Sequence, residues 1–302
     1  MSAIQLRSHQ TIGFIGLGMM GSRMVHHLKG AGDLLVFDAD SAAAARIAGE
    51  VGAKVAKDLG DFASADVVIL MLPNSSVIDQ VVCGADGKPG LLSVMTQGSV
   101  IVDMSSATPA NSIANAEKSQ AKGIGYVDAP VSGGPAGAQA GSLAIMAGGD
   151  AAHFEALKPL FDRMGANVVH TGAVGTGHAV KALNNLLAAT ILAATGEVFA
   201  AGEKFGLDPA IMQKVVSASS GGSYMSSVTW PKAVLGKTWD FGFSLALMNK
   251  DVGIGISIID GVGLDAPICH TNAKLWQETF DAGHGAKDMT RLVEMTQKKL
   301  GL

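Results

Sequence analysis

Short runs of β-branched and aliphatic residues alternate with Ala-rich, helix-compatible segments through the first half of the chain: Ile12–Ile15, Leu34–Phe37, Val67–Leu72, Val100–Val102, Tyr126–Val127 and Ala144–Met146. That alternation predicts βαβ units and a largely parallel sheet. From about Gly172 onward the pattern changes. Long segments rich in Ala, Leu, Met and Lys follow with no convincing period-two run, which predicts a mostly helical second half entered through a long helix starting near Gly177. Val252–Gly263 reads either as helix with close packing or as a broken helix. The expected organisation is therefore a doubly wound α/β domain over residues 10–171 and an all-α domain over 172–302, joined by a long helix.

Gly16-Leu17-Gly18-Met19-Met20-Gly21 sits between the first apolar run and the helix-compatible segment Met24–Leu28. Strand, glycine turn and helix in that order give the three glycines distinct roles, which are a tight turn, approach of backbone N–H groups to a pyrophosphate, and close helix–strand packing. The phosphates then sit on the positive end of a helix. Such a Rossmann-like domain needs an acidic side chain about 20 residues further on for the adenosine ribose. The next apolar run ends in Asp38, 22 positions after Gly16. Residues 16–21 and Asp38 are accordingly cofactor-binding candidates. With no basic residue between Asp38 and Arg46 to meet a 2′-phosphate, NAD is expected rather than NADP. The competing reading is a glycine-rich loop in another kind of α/β protein.

Charge and thiols narrow the class. The 302-residue chain carries a formal charge of −4 and no basic run longer than Lys298-Lys299, so no footprint for nucleic acid is present. Cys83 and Cys269 are far apart and form no C-x-x-C; a reducing compartment and no disulfide are expected. Met1–Gln10 reads as a short polar arm without an apolar segment or cleavage pattern, and the expected location is the cytoplasm. Leu186–Ala201 is apolar but interrupted by Thr190, Thr195, Gly196 and Glu197, and reads as a core helix rather than a membrane span. His170, His178, His270 and His284 show no metal-ligand spacing, so no metal is expected and most should make ordinary polar contacts.

In an open α/β sheet, ligands bind beyond the carboxyl ends of the strands, where Leu72, Pro73, Ser105, Ser106 and Ser132 fall. Ser132-Gly133-Gly134 offers a hydroxyl and unhindered amides, a cradle for a carboxylate; in isolation it is a plain turn. Further on, a helical Gly177–Asn185 places Gly177, Lys181, Asn184 and Asn185 on one face, an ammonium beside two amides. A lysine desolvated there has its pKa lowered toward neutrality, as a proton donor to a carbonyl oxygen requires, whereas a lone lysine is ordinarily solvated surface. Trp230 and Trp239 read as core or subunit interface.

Taken in order, GLGMMG, Met71-Leu72-Pro73-Asn74, Asp103-Met104-Ser105-Ser106, Asp128–Gly134, Gly175–Asn185 and Asn249-Lys250-Asp251 resemble the β-hydroxyacid dehydrogenase family from about Thr11 to about Arg291. The resemblance implies an NAD-dependent oxidoreductase interconverting a small 3-hydroxy acid and its semialdehyde or keto acid, with Lys181 as catalytic acid/base. It further implies Ser132, Gly133, Gly134, Asn184, Asn185 and Ser105 at a carboxylate-bearing substrate, and Leu72, Pro73, Ser106 and Lys250 at the cofactor beside residues 16–21 and Asp38. Lys250-Asp251 reads equally as a local ion pair. A homodimer or homotetramer is implied. Ser106 and Ser142 stand where many members have threonine, with the hydroxyl kept. Imine reductases share the architecture but generally carry another residue type at the lysine position. A non-catalytic binding relative lacks the lysine and has a basic tail, which this chain does not show.

Overall fold

A computed structural model describes residues 10–302; the polar arm expected over Met1–Gln10 lies, apart from Gln10, outside the described residues. The chain divides into two compact units, the first running to Lys181 and the second spanning Ala182–Leu302.

The first unit is built on strands β1 (Thr11–Ile15), β2 (Asp33–Phe37), β3 (Lys54–Val55), β4 (Val67–Leu70), β5 (Gly84–Ala85), β6 (Lys88–Pro89), β7 (Val100–Asp103), β8 (Gly125–Asp128), β9 (Val131–Ser132), β10 (Leu143–Gly148) and β11 (Gly165–Gly172). The main sheet has the order β11-β10-β8-β7-β4-β1-β2-β3, with β9 on β10 and β5-β6 as a separate hairpin. All pairings from β3 across to β8 are parallel; β10 runs antiparallel to β8, and β11 parallel to β10. Strand order reverses between β1 and β4, the topological switch point of a doubly wound sheet.

The apolar runs form strands because both faces are covered. All of Val67–Leu70 is buried, with Val67 and Ile69 in one hydrophobic cluster and Val68 and Leu70 in the other. Flanking helices begin where side chains satisfy their first N–H groups: Asp40 caps Ser41–Val51, Asn74 caps Ser75–Cys83, and Thr108 caps Pro109–Gln120. The helix expected over Met24–Leu28 is one α-turn, Gly21–Met24, followed by a 3₁₀ segment, Val25–Leu28.

The second unit is helical. It takes the later part of the long helix Thr176–Phe205, then Pro209–Ser217, a π-helical segment Met225–Val234, Leu245–Gly261, Pro267–Thr279 and Arg291–Lys299. Trp230 is buried edge-on against Phe199 at 4.5 Å, and Trp276, Leu192 and Leu292 share the same core. Thr176–Phe205 is long and apolar enough to cross a membrane by length and composition; half of its most apolar stretch is buried inside the protein. Val252–Gly261 belongs to an unbroken helix whose Gly255 lies against Leu186, where an added Cβ would come within 2.8 Å of the leucine Cβ.

Candidate active site

The glycine loop stands at the switch point. Gly16 has φ +97°, and a Cβ there would lie 2.3 Å from the Met71 carbonyl oxygen, so the end of β1 can approach the chain after β4 only as glycine. A Cβ on Gly21 would meet the Gly16 carbonyl oxygen at 1.9 Å, while around Gly18 nothing lies within 4 Å. Two glycines therefore shape the turn and the third leaves open backbone, the fit a pyrophosphate requires. The Leu17 N–H donates to Asp38 Oδ2 at 2.6 Å and the Asp40 N–H to Oδ1 at 2.8 Å, which anchors the acid beside the loop.

Beyond the ends of β7 and β8 lies a buried polar network. Asp103 accepts the Tyr126 hydroxyl at 3.1 Å and the Ser105 N–H at 3.0 Å. Burial and the adjacent Asp103 hold the Tyr126 phenol well above its ordinary pKa, so it stays a donor. Asp128 accepts from the Gly175 N–H at 2.7 Å and the His178 N–H at 2.8 Å, clamping the start of the long helix to the sheet. Burial pushes the Asp128 carboxyl up to about 6, against the opposing pull of His178 and the two amides. Gly177 makes this clamp possible: a Cβ would sit 2.3 Å from the Met146 carbonyl oxygen and 2.9 Å from Asp128 Oδ2.

The expected site residues are distributed as follows. Ser105 is 1 % exposed and its hydroxyl accepts the Leu72 N–H at 2.9 Å, so it braces the chain after β4. Ser106 is half-buried, as are Leu72 and Ser132, and Pro73 is exposed. Gly133 and Gly134 have φ +132° and +62°, and the helix Gly134–Ala140 starts without a side-chain cap, leaving its first N–H groups to other acceptors. Lys181 lies half-buried in the second turn of Thr176–Phe205. In the second unit Asn184 is exposed, whereas Asn185 is buried and donates its amide to Asp251 Oδ2 at 2.7 Å. Lys250 Nζ stands 3.6 Å from Asp251 Oδ1.

His178 and Asp128 were not singled out by the motifs as functional side chains. A signal was present in part: Asp128 opens the Asp-Ala-Pro block and His178 stands three residues before Lys181.

A switch-point glycine loop with an acid at the end of β2, followed by a helical unit, defines a dinucleotide-dependent oxidoreductase. Residues 11–172 match the family described as the NAD binding domain of 6-phosphogluconate dehydrogenase, and residues 175–296 match NAD-binding of NADP-dependent 3-hydroxyisobutyrate dehydrogenase. The chain is 35% identical to 2-(hydroxymethyl)glutarate dehydrogenase of Eubacterium barkeri, covering 96% of each chain. It is also 35% identical to 3-hydroxyisobutyrate dehydrogenase of Pseudomonas aeruginosa, over 95% of this chain and 99% of the relative. The solved 3-hydroxyisobutyrate dehydrogenase of Mycobacterium tuberculosis with L-serine superposes with a TM-score of 0.86 at 31% identity, covering 95% of this chain and 99% of that one. The chain belongs to the β-hydroxyacid dehydrogenase family and is an NAD-dependent oxidoreductase of the 3-hydroxyacid type.

Proposed function

We propose that this enzyme oxidises a small acid bearing a primary alcohol one carbon away from its carboxylate-bearing carbon, giving the semialdehyde, with Lys181 moving the hydroxyl proton. The relatives' substrates named above share that HO–CH2–CH–COO⁻ core, which supports the reading. The observation that carries it is the clamp at Asp128, which fixes the first turn of the helix bearing Lys181 against the strand ends. NAD, when bound, supplies the hydride acceptor. Lys181 takes the hydroxyl proton during oxidation and returns it to the carbonyl oxygen during reduction. Ser132 and the amides at Gly133 and Gly134 hold the substrate carboxylate; neutral donors do the holding because no arginine adjoins these motifs. Asn184 and Asn185 offer further amides, and Lys250 serves the cofactor. Residues 16–21, Leu72, Pro73 and Ser106 line the dinucleotide, and Asp38 favours NAD by repelling a 2′-phosphate.

Cys83 and Cys269 are free thiols, which supports a cytoplasmic location, and a homodimer or homotetramer is the assembly we infer from the family. The test is a panel of 3-hydroxyisobutyrate, 2-(hydroxymethyl)glutarate, L-serine, glycerate and 3-hydroxypropanoate with NAD and NADP. At least one acid should turn over with higher kcat/KM for NAD, and its neutral amide analogue should lose about 2 to 4 kcal/mol in kcat/KM, as expected when site donors are left unmatched. Turnover of the amide equal to that of the acid, or preference for imines, contradicts the reading.

A further inference from the structure

The His178 side chain is fully buried, and its contacts reach three separate pieces of the first unit. Its Nε2 lies 3.0 Å from the Ser105 carbonyl oxygen, its Nδ1 lies 2.6 Å from Ser112 Oγ on the helix Pro109–Gln120, and its own N–H is held by Asp128. A carbonyl oxygen has no proton to give, so Nε2 donates to it, while Nδ1 pairs with the Ser112 hydroxyl and stands 3.7 Å from Asp128 Oδ2. Ser105 in turn braces the chain after β4, accepting the Leu72 N–H, and donates its own N–H to Asp103. Hydrogen bonds thus run without a break from Leu72 through Ser105 and His178 into the first turn of the lysine-bearing helix. His178 and Lys181 are three residues apart, so they are neighbours along one side of that helix.

We propose that His178 is a positioning residue for Lys181: wedged between Ser105 and Ser112, it fixes the rotation and depth of the helix start and thereby the point to which the lysine delivers its proton. The inference rests on the assignment of proton transfer to Lys181. Reaction geometry is sensitive at this scale, since a displacement of about 1 Å can cost on the order of 100-fold in rate. A histidine that only filled space would act on folding and leave the chemistry of each folded site unchanged.

The experiment measures kcat per NADH-binding site, counted by fluorescence titration, for His178→Leu, which keeps the bulk and removes both ring hydrogen bonds, and for His178→Gln, whose amide can still donate to the Ser105 carbonyl. His178→Leu should lower kcat per site about 10- to 100-fold with NADH affinity little changed, and His178→Gln should recover a substantial part. Equal kcat per site in His178→Leu and the parent overturns the proposal, whatever happens to the melting temperature. Should His178→Leu not fold, Ser112→Ala carries the same test: a loss of about 3- to 10-fold per site is expected, and parental kcat per site overturns the proposal. Lys181→Ala is run alongside. If it keeps its turnover, the assignment to the lysine fails, and any role through it fails too; if it is inactive while His178→Leu is normal, only the positioning role fails.

Discussion

Two buried aspartates, one in each unit, solve the same problem in different ways. Asp128 is fully buried and satisfied by backbone, the N–H groups of Gly175 and His178. Asp251 is 3 % exposed and satisfied by side chains, the Asn185 amide at 2.7 Å and the Lys250 ammonium at 3.6 Å. An acid filled by backbone amides fixes where a helix begins, because those amides cannot move without the chain. An acid filled by a side-chain amide fixes which way that amide faces: Asn185 must turn its nitrogen toward Asp251, and its Oδ1 then accepts from Asn184 at 3.1 Å. The first arrangement sets position and the second sets orientation.

Removing each acid breaks the comparison at a different level. Asp128→Ala leaves two buried N–H groups at the helix start without an acceptor and should destabilise the protein by about 2 to 4 kcal/mol in urea unfolding; a loss below about 1 kcal/mol would mean the clamp is not structural.

The titration of Asp128 sharpens the same point. Its folded value near 6 lies above the ordinary 3.8, so the folded state holds the proton more tightly than the unfolded chain. The neutral acid's contribution is complete below about pH 4 and is lost as pH rises to about 6, on the order of 3 kcal/mol in total. Stability of the parent relative to Asp128→Asn should fall across that interval and be level above it; a rise over the same interval contradicts the assignment. The smallest effect is kinetic. Asp251→Ala frees the Asn185 amide to rotate and should raise KM for the acid roughly 3- to 10-fold with kcat less affected. An unchanged KM would separate Asn185 from substrate binding.

The two regions also differ in how far their order could be read from residues alone. β1, β4 and β7 are apolar because they are buried on both faces, and Gly16 and Gly21 are glycines because backbone lies within about 2 Å of where their Cβ would be; composition records such constraints directly. β11 escaped because, beyond buried Gly165, its residues are half-buried or exposed at the sheet edge, which leaves little pattern in Gly165–Gly172. The π-helical segment Met225–Val234 likewise has no period of its own to read. The partners of Ser105 and His178 are hidden from the sequence for another reason. Ser105 braces Leu72 across 33 positions, and His178 meets Ser112 and Ser105 across 66 and 73. A motif shows which residues share a block, whereas those partners are brought together only by the sheet.

The most direct test of the account is the proton-transfer step itself. Single-turnover NADH formation by Lys181→Ala, on whichever acid the parent oxidises best, should be about 10²- to 10⁴-fold slower than in the parent, with NADH affinity in the same samples changed little. Hydride transfer at the parental rate in a folded, NADH-binding Lys181→Ala enzyme would contradict the assignment of the lysine, and with it the purpose of the clamp that holds its helix.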